Sequence, residues 1–492
     1  MTQTLHDLDQ LKRQAKERAA KLNVPLHQAQ FELARSYGFA SWPKLKAYVD
    51  GVTIRRLADA IGGGDLDEVK RMLRARPELA DMPMSYGDER RPIHFAVMHR
   101  SPEMVRLLMS HGANPCAGVH PHRDATSALT MARDREYLEL VPLLEKEERK
   151  AEEESAEPAD DPARIAVAND DVEWLKARHA EGKLLNPIRW SDGGLLTVAV
   201  KNNRADILNL LLDFGFDPNE RVSEGEGDWI AYSQGYPLHE CAAQDRRELA
   251  EILLKRGADP NVHVDSSGSS VHCAFSHRNW EMVELLRRYG GIVTADTAAI
   301  YRRTDIACEL LAEHAEELLN FGADGGATEV VRMALEKIDW PPDDLRWYRS
   351  LTNPLSFWHH IPWLYAGVKE FDRDGYLDCF KLVLERTTPN LVAGFGRTAL
   401  HEVAAMGDWV KDEEAGAFAR VLLEAGAKTN VRDDLLNSTP LGWACRWGRP
   451  TVVQALLDHG ADPIEADAEP WARPHAWASK KGHNDVLAIL LR

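Results

Sequence analysis

The fold is decided by residues 236–261, which read YPLHECAAQDRRELAEILLKRGADPN. This stretch begins with Tyr-Pro followed by small and apolar residues, passes through a polar turn into a second apolar segment, and closes on Gly-Ala-Asp-Pro-Asn. The same order returns next along the chain, so that His272 lies 33 residues after His239 and Gly290 lies 33 residues after Gly257. A fixed period of this length predicts a stack of similar helix–turn–helix units, because one unit is too small to bury its own apolar face.

Further copies of this unit lie on both sides of it. Each copy has two short apolar segments followed by a glycine, and the clearest span 91–115, 397–427 and 438–463, with a weaker one at 195–215. The units resemble the ankyrin repeat, which has a period of about 33 residues and a Thr-Pro-Leu-His-x-Ala start. The resemblance covers about residues 53–492 and implies an all-α solenoid of helix–turn–helix units with short hairpin loops.

The residue types at the ends of each unit favour the same fold. In the pair Thr439-Pro440, the threonine hydroxyl can cap a helix and the proline suits its first turn. A glycine follows each apolar second segment, where a left-handed backbone would end the helix. These glycines are Gly112, Gly215, Gly257, Gly426 and Gly460. We therefore expect each of them to end the second helix of a repeat.

The chain divides into four predicted regions. Residues 1–52 form a helical N-terminal cap, 53–144 the N-terminal ankyrin-like repeats, 145–162 an acidic linker, and 163–492 the C-terminal ankyrin-like repeats. Within the cap, the segment ARSYGFASWPKL at 34–45 resembles a leader found before some bacterial ankyrin arrays. A capping role would cover the apolar end of the stack. The alternative is a separate helical segment that binds a partner through its local positive charge.

Composition and charge exclude several classes of function. The chain has 492 residues, with 60 Lys and Arg against 78 Asp and Glu, and therefore a net charge of −18. So acidic a chain is a poor candidate for binding nucleic acid or anionic lipid, which attract positive surfaces. It has no apolar run long enough for a membrane helix, no apolar signal-peptide region at its start, and six scattered cysteines. These features predict a cytoplasmic protein with reduced thiols.

Histidines recur at the start of the repeats and raise the question of a catalytic or metal site. They are His94, His239, His272 and His401. The resemblance to ankyrin repeats implies that these imidazoles bond to the backbone of adjoining loops. Residues 239–243 and 401–405 look like half of a zinc-protease helix, but alanine replaces the second histidine in both. The histidine pairs at 120–122 and 359–360 lack partners at metal-ligand spacing and are predicted to lie in surface loops. The sequence therefore predicts no metal and no cofactor.

Three insertions break the repeat pattern, at 220–235, 340–374 and 407–416, and each carries aromatic residues. Loops inserted into a repeat array gather on one face, which is often the binding face. We expect these aromatic residues to line the concave groove formed by the first helices and hairpin tips, since Trp and Tyr are frequent binding anchors. The candidate binding residues are Trp190, Trp229, Tyr232, Tyr236, Trp358, His359, Trp363 and Trp409. The alternative is that the aromatic residues fill gaps where the insertions pack on the stack.

The function predicted first from these features is a non-catalytic interaction protein that holds a protein or peptide partner in the concave groove. An acidic groove would favour a basic partner, because complementary potentials speed association. The alternative is a protein that binds a small molecule or a glycan, and that could be a hydrolase using paired carboxylates. The candidate carboxylates are Asp228, Asp343, Asp344 and Asp374. A closed pocket built by the first two insertions would favour this alternative, and an open groove would favour the first.

Overall fold

The computed structural model describes the chain in the following segments. They are residues 8–22, 25–36, 42–84, 88–119, 122–145, 161–186, 193–224, 231–233, 235–264, 268–355, 373–407 and 410–491. The predicted acidic linker 145–162 is therefore described only at its two ends, and residues 356–372 of the longest insertion lie outside the described segments.

Short helices follow one another along the described chain, as the repeat pattern predicts. The helices of the N-terminal part are Leu8–Leu22, Leu26–Ser36, Trp42–Gly62, Leu66–Ala75, Pro92–Met98, Pro102–Met109, Arg123–Thr126, Ala128–Asp134 and 141–145. Those of the middle part are Pro162–Ala168, Val172–Ala180, Leu195–Lys201, Ala205–Asp213, Tyr236–Ala243, Arg247–Lys255, Ser270–Ser276, Trp280–Arg288 and Ala295–Ile300. Those of the C-terminal part are Thr304–Asp324, Thr328–Leu335, Arg346–Thr352, Asp374–Leu384, Ala399–Ala404, Asp412–Glu424, Pro440–Trp447, Pro450–Asp458, Pro474–Lys481 and Asn484–Leu490. Residues 54–145, 162–300 and 394–490 are called the N-terminal, middle and last repeats.

Local sequence sets where these helices begin and end. The Thr439 hydroxyl accepts a hydrogen bond from the Gly442 amide, and Pro440 takes the first helical position, as predicted. Other side chains that cap helices in this way are those of Asp65, Asp171 and Asn279. The five predicted repeat-ending glycines have φ angles between 83° and 93°. Because a residue with a side chain adopts this left-handed backbone only with strain, glycine is favoured at these positions.

Neighbouring repeats pack in two layers of helices. First helices contact first helices, as in the run Leu195–Lys201, Tyr236–Ala243 and Ser270–Ser276. Second helices contact second helices, as Ala205–Asp213 does with Arg247–Lys255. The first helices and the loops that lead into them form one side of the stack, called the first-helix face. This arrangement confirms the predicted all-α repeat solenoid.

Apolar side chains between the two layers form three large buried clusters. One lies within residues 54–144, the second within 163–298 and the third within 295–486. The second and third clusters share the helix Ala295–Ile300, whose alanines contribute to both. The middle and C-terminal repeats therefore form one continuous stack.

Three local features differ from the sequence-based expectations. The insertion 220–235 contains an antiparallel β-hairpin, in which Val222–Glu224 pairs with Ala231–Ser233. The helix Trp42–Gly62 runs across the boundary predicted at residue 52. The second helix Asp412–Glu424 begins inside the insertion predicted at 407–416. Among the described helices, none combines the length and the apolar character that crossing a lipid bilayer requires.

Candidate functional site

The N-terminal repeats fold back against the last repeats of the chain. The Asp134 carboxylate accepts hydrogen bonds from Arg446 Nη2 at 2.7 Å and from Lys481 Nζ at 3.0 Å. The next residue, Arg135, donates to the carbonyl of Leu435 at 2.5 Å. The first-helix face of the last repeats is therefore partly covered by protein from the same chain.

An apolar contact supports these ion pairs. Val119, Phe395 and Leu435 form a small buried cluster, against which Met98 packs. The Arg90 guanidinium lies 4.4 Å from the centre of the Phe395 ring. Phe395 has a φ of 69°, a left-handed conformation that is strained for a residue with a side chain. Such strain persists only where the surrounding packing holds it, so the contact fixes this loop firmly.

A pocket with a volume of about 560 Å³ lies between the N-terminal repeats and the C-terminal part of the chain. We call it the junction pocket. One wall consists of His122, Arg123, Asp124, Ala125 and Thr130. The opposite wall consists of Tyr348, Thr352, Asn353, Leu355, Arg397, Glu402, Ala405, Met406, Gly407, Arg446, Trp447 and Lys481. Its volume is within the range of about 300–1,000 Å³ that small-molecule sites usually have.

Glu402 binds three side chains of the junction pocket. Its carboxylate accepts a hydrogen bond from Tyr348 Oη at 3.0 Å, pairs with Arg397 Nη1 at 3.1 Å and lies 3.4 Å from His122 Nε2. Burial alone would raise the pKa of Glu402, but the charge of Arg397 and the contacts of His122 and Tyr348 outweigh burial and lower the pKa to about 2. Burial and the nearby Glu402 charge raise the pKa of Tyr348 well above its usual value. At neutral pH the carboxylate is therefore ionised, and the tyrosine keeps the proton that it donates.

Glu402 is positioned by the helix start that recurs in the repeats. The Thr398 amide donates to His401 Nδ1 at 3.1 Å, and His401 Nε2 donates to the carbonyl of Ser438 at 3.2 Å. These bonds fix the first turn of the helix Ala399–Ala404. Because adjacent residues of a helix point about 100° apart, His401 enters the stack while Glu402 reaches the pocket.

His122 corrects a sequence-based prediction, which placed it in a surface loop. Its side chain is only 11% exposed. Its ring lies edge-on to Trp443 and Trp447, with 5.1 Å and 5.2 Å between ring centres. No local sequence pattern reveals this environment, because both tryptophans belong to a repeat near the other end of the chain.

Arg446 is a buried cation of the junction pocket. Its side chain is 9% exposed, and that of its partner Asp134 is 7% exposed. The guanidinium lies 4.7 Å from the centre of the Trp447 ring and 5.3 Å from that of Trp477. The Arg446 Nε is buried and makes no hydrogen bond within the described residues. A buried N–H without an acceptor is destabilising, so this atom lowers the stability of the junction rather than offering a contact to a ligand.

Most of the candidate aromatic residues lie outside the described part of the chain. These residues are Trp190, Trp229, Trp358, His359, Trp363 and Trp409, together with the candidate carboxylate Asp228. Of the others, Tyr236 is half-buried at the start of the helix Tyr236–Ala243, and Tyr232 lies in the second strand of the β-hairpin. The aromatic strip along the groove therefore stays a prediction.

In the described part of the insertion 340–374, some side chains fill the core and others line the junction pocket. Trp347 is fully buried, donates to the carbonyl of Pro341 at 3.0 Å and packs edge-on against Trp340. This is the gap-filling role that was the alternative for such residues. The next residue, Tyr348, and Thr352, about one turn beyond it, line the junction pocket.

Two of the candidate carboxylates of the same insertion, Asp343 and Asp344, do not line the junction pocket. Asp343 is exposed, and Asp344 pairs with Arg346 at 2.7 Å. Asp374 is the first residue of the helix Asp374–Leu384. Within the described residues, no group of three or more His, Cys, Asp or Glu side chains is placed to hold a metal ion.

Two of the four repeat histidines, His94 and His401, bond to the backbone of neighbouring loops, as the resemblance implies, whereas His272 bonds to the side chains of Thr297 and Tyr301. His94 Nε2 donates to the carbonyl of Ala117 at 2.9 Å, and His94 Nδ1 accepts from the Arg91 amide at 2.9 Å. Burial lowers the pKa of His94 to about 4 and also lowers the pKa of His401. Both imidazoles are therefore neutral at pH 7 and have a structural role.

Comparison with known proteins identifies the repeat. A family model described as ankyrin repeats (3 copies) matches residues 196–296 and 370–467, and a model for a single ankyrin repeat matches 88–118. Ankyrin repeat domain-containing protein 63 of Homo sapiens is 36% identical over 109 residues, which are 22% of this chain and 27% of that protein. The E3 ubiquitin-protein ligase KEG of Arabidopsis thaliana is 24% identical over 285 residues, covering 54% of this chain and 14% of that protein. The ankyrin repeat and KH domain-containing protein mask-1 of Caenorhabditis elegans is 25% identical over 427 residues, covering 76% of this chain and 16% of that protein.

A two-layer stack of helix pairs at a regular period defines a helical repeat protein of the solenoid class. With the family matches, the class becomes specific: this chain is an ankyrin repeat protein. Ankyrin repeats generally mediate protein–protein interactions. The chain spans at most 27% of the length of these three curated relatives, so they share the repeat with it over a minor part of their own length.

Proposed function

We propose that this chain is a non-catalytic interaction protein that binds a protein or peptide partner on the first-helix face of its middle repeats, 162–300. The observation that carries this proposal is the fold-back of the N-terminal repeats. There, the first-helix face of the last repeats binds a protein surface through the ion pairs of Asp134 and the apolar cluster around Phe395. A face of the same construction in the middle repeats is suited to a partner from another chain.

A groove in the middle repeats supports this assignment. It has a volume of about 410 Å³ and lies between the first helices Pro162–Ala168 and Leu195–Lys201. Its lining residues are Arg164, Ile165, Ala168, Asn169, Val198, Lys201 and Asn202. Ile165 is apolar and 45% exposed, and Asn202 is exposed beside it. An apolar centre with a polar rim is the usual composition of a protein interface.

The net charge of the chain and of the insertion 220–235 favours a basic partner, although the two charged residues that line the groove itself, Arg164 and Lys201, are basic. The chain has a net charge of −18, and the insertion 220–235 carries Glu224, Glu226 and Asp228 against Arg221. Glu220 of the same insertion has a structural role, since its buried carboxylate accepts hydrogen bonds from the amides of residues 194 and 196. Complementary potentials raise the association rate of oppositely charged partners. The proposal places the protein in the cytoplasm, because its described cysteines are free thiols.

The test compares two variants with the same change in charge. Ile165→Arg with Asn202→Arg places two new cations in the groove, whereas Glu173→Arg changes the charge equally at a side chain that is 90% exposed on a second helix. Both proteins are used to capture partners from the native lysate, with cross-linking and mass spectrometry to locate the contact. We expect the groove variant to lose the partners that the wild type and Glu173→Arg retain.

Two outcomes would contradict this proposal. One is equal capture by all three proteins, and the other is a set of cross-links confined to the second-helix face. For a basic partner, affinity should also fall as the salt concentration rises, because salt screens exposed charges. An affinity that does not depend on salt would contradict the charge of the proposed partner.

A further inference from the structure

We propose that the last repeats carry a docking surface for a partner helix that ends in an acidic residue followed by an arginine, and that the N-terminal repeats of the same chain occupy this surface until such a partner displaces them. The docking surface consists of the side chains of Arg446, Trp471, Lys480 and Lys481 and the carbonyl of Leu435. The proposal goes beyond the protein interaction proposed above, because none of these residues lines the groove of the middle repeats.

The end of the helix Ala128–Asp134 indicates what the docking surface recognises. Lys480 Nζ donates to the carbonyl of Asp134 at 2.6 Å. The Asp134 carboxylate accepts from Arg446 Nη2 at 2.7 Å and from Lys481 Nζ at 3.0 Å. The last carbonyls of a helix have no partner within the helix, and cations are favourable at this negative end of its dipole. A helix that ends in an acidic residue is therefore suited to all three cations at once.

A second contact is made by the residue that follows the aspartate. The Arg135 side chain is 8% exposed, and it donates to the carbonyl of Leu435 at 2.5 Å. Its guanidinium lies 5.0 Å from the centre of the Trp471 ring, which packs edge-on against the buried Trp477. A guanidinium is attracted to the face of an indole ring, and more strongly where water is excluded. The docking surface therefore contacts two consecutive side chains, an acid and an arginine.

The charge of the docking surface favours an acidic occupant. Arg446, Lys480 and Lys481 have side chains that are 9%, 28% and 30% exposed. Within the described residues, their ion pairs are all with Asp134 and Glu136 of the N-terminal repeats. Removal of those repeats would leave three neighbouring cations without an acid, in a chain whose net charge is −18. A partner that supplies an acid restores the pairing, which a basic or neutral partner does not.

The contact between the N-terminal repeats and the last repeats has the character of an exchangeable interface. Its apolar cluster consists of Val119, Phe395 and Leu435 and is far smaller than any of the three core clusters. Interfaces between parts of one chain that are this polar resemble transient protein–protein interfaces. Because the N-terminal repeats are tethered, they have a high effective concentration at the surface. A separate partner must therefore bind more tightly to displace them.

Binding of a peptide to the full chain tests the proposal. The probe is a fluorescein-labelled, alanine-based helical peptide of about 20 residues that ends in the native sequence 131–137, MARDREY. Asp134→Lys places a cation against Arg446 and Lys481 and should vacate the docking surface. Fluorescence anisotropy should show that the peptide binds this variant at least tenfold more tightly than the wild type, with a dissociation constant of about 100 µM or lower. A control peptide with Asp134→Asn and Arg135→Ala should bind at least tenfold more weakly.

Two matched changes in the Asp134→Lys protein locate the bound peptide. Lys480→Ala with Lys481→Ala should weaken peptide binding by about tenfold or more, because it removes two of the three cations. Lys255→Ala with Arg256→Ala removes the same charge from exposed pairs in the middle repeats and should leave peptide binding unchanged.

The groove variant Ile165→Arg with Asn202→Arg should also bind the peptide as its parent does. A failure of the docking surface is therefore distinguishable from a failure of the function proposed for the middle repeats.

Hydrogen exchange of the wild type gives a test that does not depend on the folding of any variant. A saturating concentration of the peptide should speed exchange in the chain's own Arg123–Thr126, because the N-terminal repeats are displaced. The proposal would be overturned by any of three results. They are equal peptide affinity of folded Asp134→Lys and the wild type, equal binding of the control peptide, and unchanged exchange at Arg123–Thr126. Unchanged peptide binding after the two lysine substitutions would overturn it as well.

Discussion

At the scale of the residue, Glu402 illustrates how far local sequence determines a role. The pair His401-Glu402 resembles half of a zinc-protease helix, and the missing second histidine argues against a zinc site there. The repeat pattern also predicts that His401 bonds to adjoining loops, because that contact is made between neighbouring repeats. The partners of Glu402 could not be predicted, since Tyr348 and His122 reach it from distant parts of the chain.

Glu402→Gln should destabilise the protein more at neutral pH than in acid. The pKa of Glu402 is lowered to about 2, so its ionised form favours the folded state. This stabilisation is complete above the ordinary pKa of 4.5 and is lost as the pH falls from 4.5 toward 2. Urea unfolding should give a loss of about 3 kcal/mol at pH 7 and a clearly smaller loss at pH 3.

The control for this experiment is Glu173→Gln, at a side chain that is 90% exposed, which should change the free energy of unfolding little at either pH. Equal losses for Glu402→Gln at pH 7 and pH 3 would contradict the assignment of an ionised, paired carboxylate.

His401→Ala should lower stability without altering the groove of the middle repeats. The change leaves the Thr398 amide and the Ser438 carbonyl without their imidazole partner inside the stack. We expect a loss of about 1–3 kcal/mol in the free energy of unfolding. The exposed His475→Ala should stay within about 0.5 kcal/mol of the wild type. Loss of partner binding by folded His401→Ala would argue for a direct binding role instead.

At the scale of the element, the helices could be predicted because their signals are local. Spacing of apolar residues, Pro at the first position and Gly after the second helix all act within one repeat. The β-hairpin of Val222–Glu224 and Ala231–Ser233 was not predicted, because its pairing joins two short strands across a polar, glycine-containing segment. The boundary at residue 52 is predicted from where the resemblance to ankyrin repeats begins, whereas the helix Trp42–Gly62 continues through it.

Truncation of second-helix leucines tests the repeat register. Leu253, Leu422 and Leu456 are fully buried between the layers, as their positions in the repeats predict. Each change to Ala should cost about 2–5 kcal/mol, from lost burial and the cavity left behind. Leu185→Ala serves as the control, because that side chain is 75% exposed. Denaturant unfolding measures the difference, and a core loss below about 0.5 kcal/mol would contradict the register.

At the scale of the whole molecule, the fold-back of the N-terminal repeats against the last repeats could not be predicted from the repeat pattern. A repeat pattern specifies contacts between neighbours, and the ion pairs of Asp134 join repeats at opposite ends of the chain. Asp134, Arg446 and Lys481 are ordinary charged residues in the sequence, with no spacing that relates them. The predicted concave groove is consequently partly covered in the last repeats by the N-terminal repeats.

Reversing one charge should open the molecule. Asp134→Lys places a cation against Arg446 and Lys481 in a buried contact, where like charges repel strongly. Small-angle X-ray scattering should show a larger radius of gyration, while circular dichroism shows unchanged helix content. Asp213→Lys makes the same charge change at an exposed pair with Arg256 and should keep the wild-type radius. An unchanged radius for Asp134→Lys would show that the ion pairs do not hold the fold-back.

The fold-back also sets a sequence of events during synthesis. Asp134 and Arg446 are 312 residues apart, so their contact closes a far longer loop than any helix pair of the stack. At about 5–20 residues per second, a ribosome needs about 15–60 s to make the intervening chain. During that interval Val119 and Asp134 of the nascent N-terminal repeats are not yet covered by the last repeats. A factor that recognises this surface can therefore bind it before the last repeats are synthesised and fold against it.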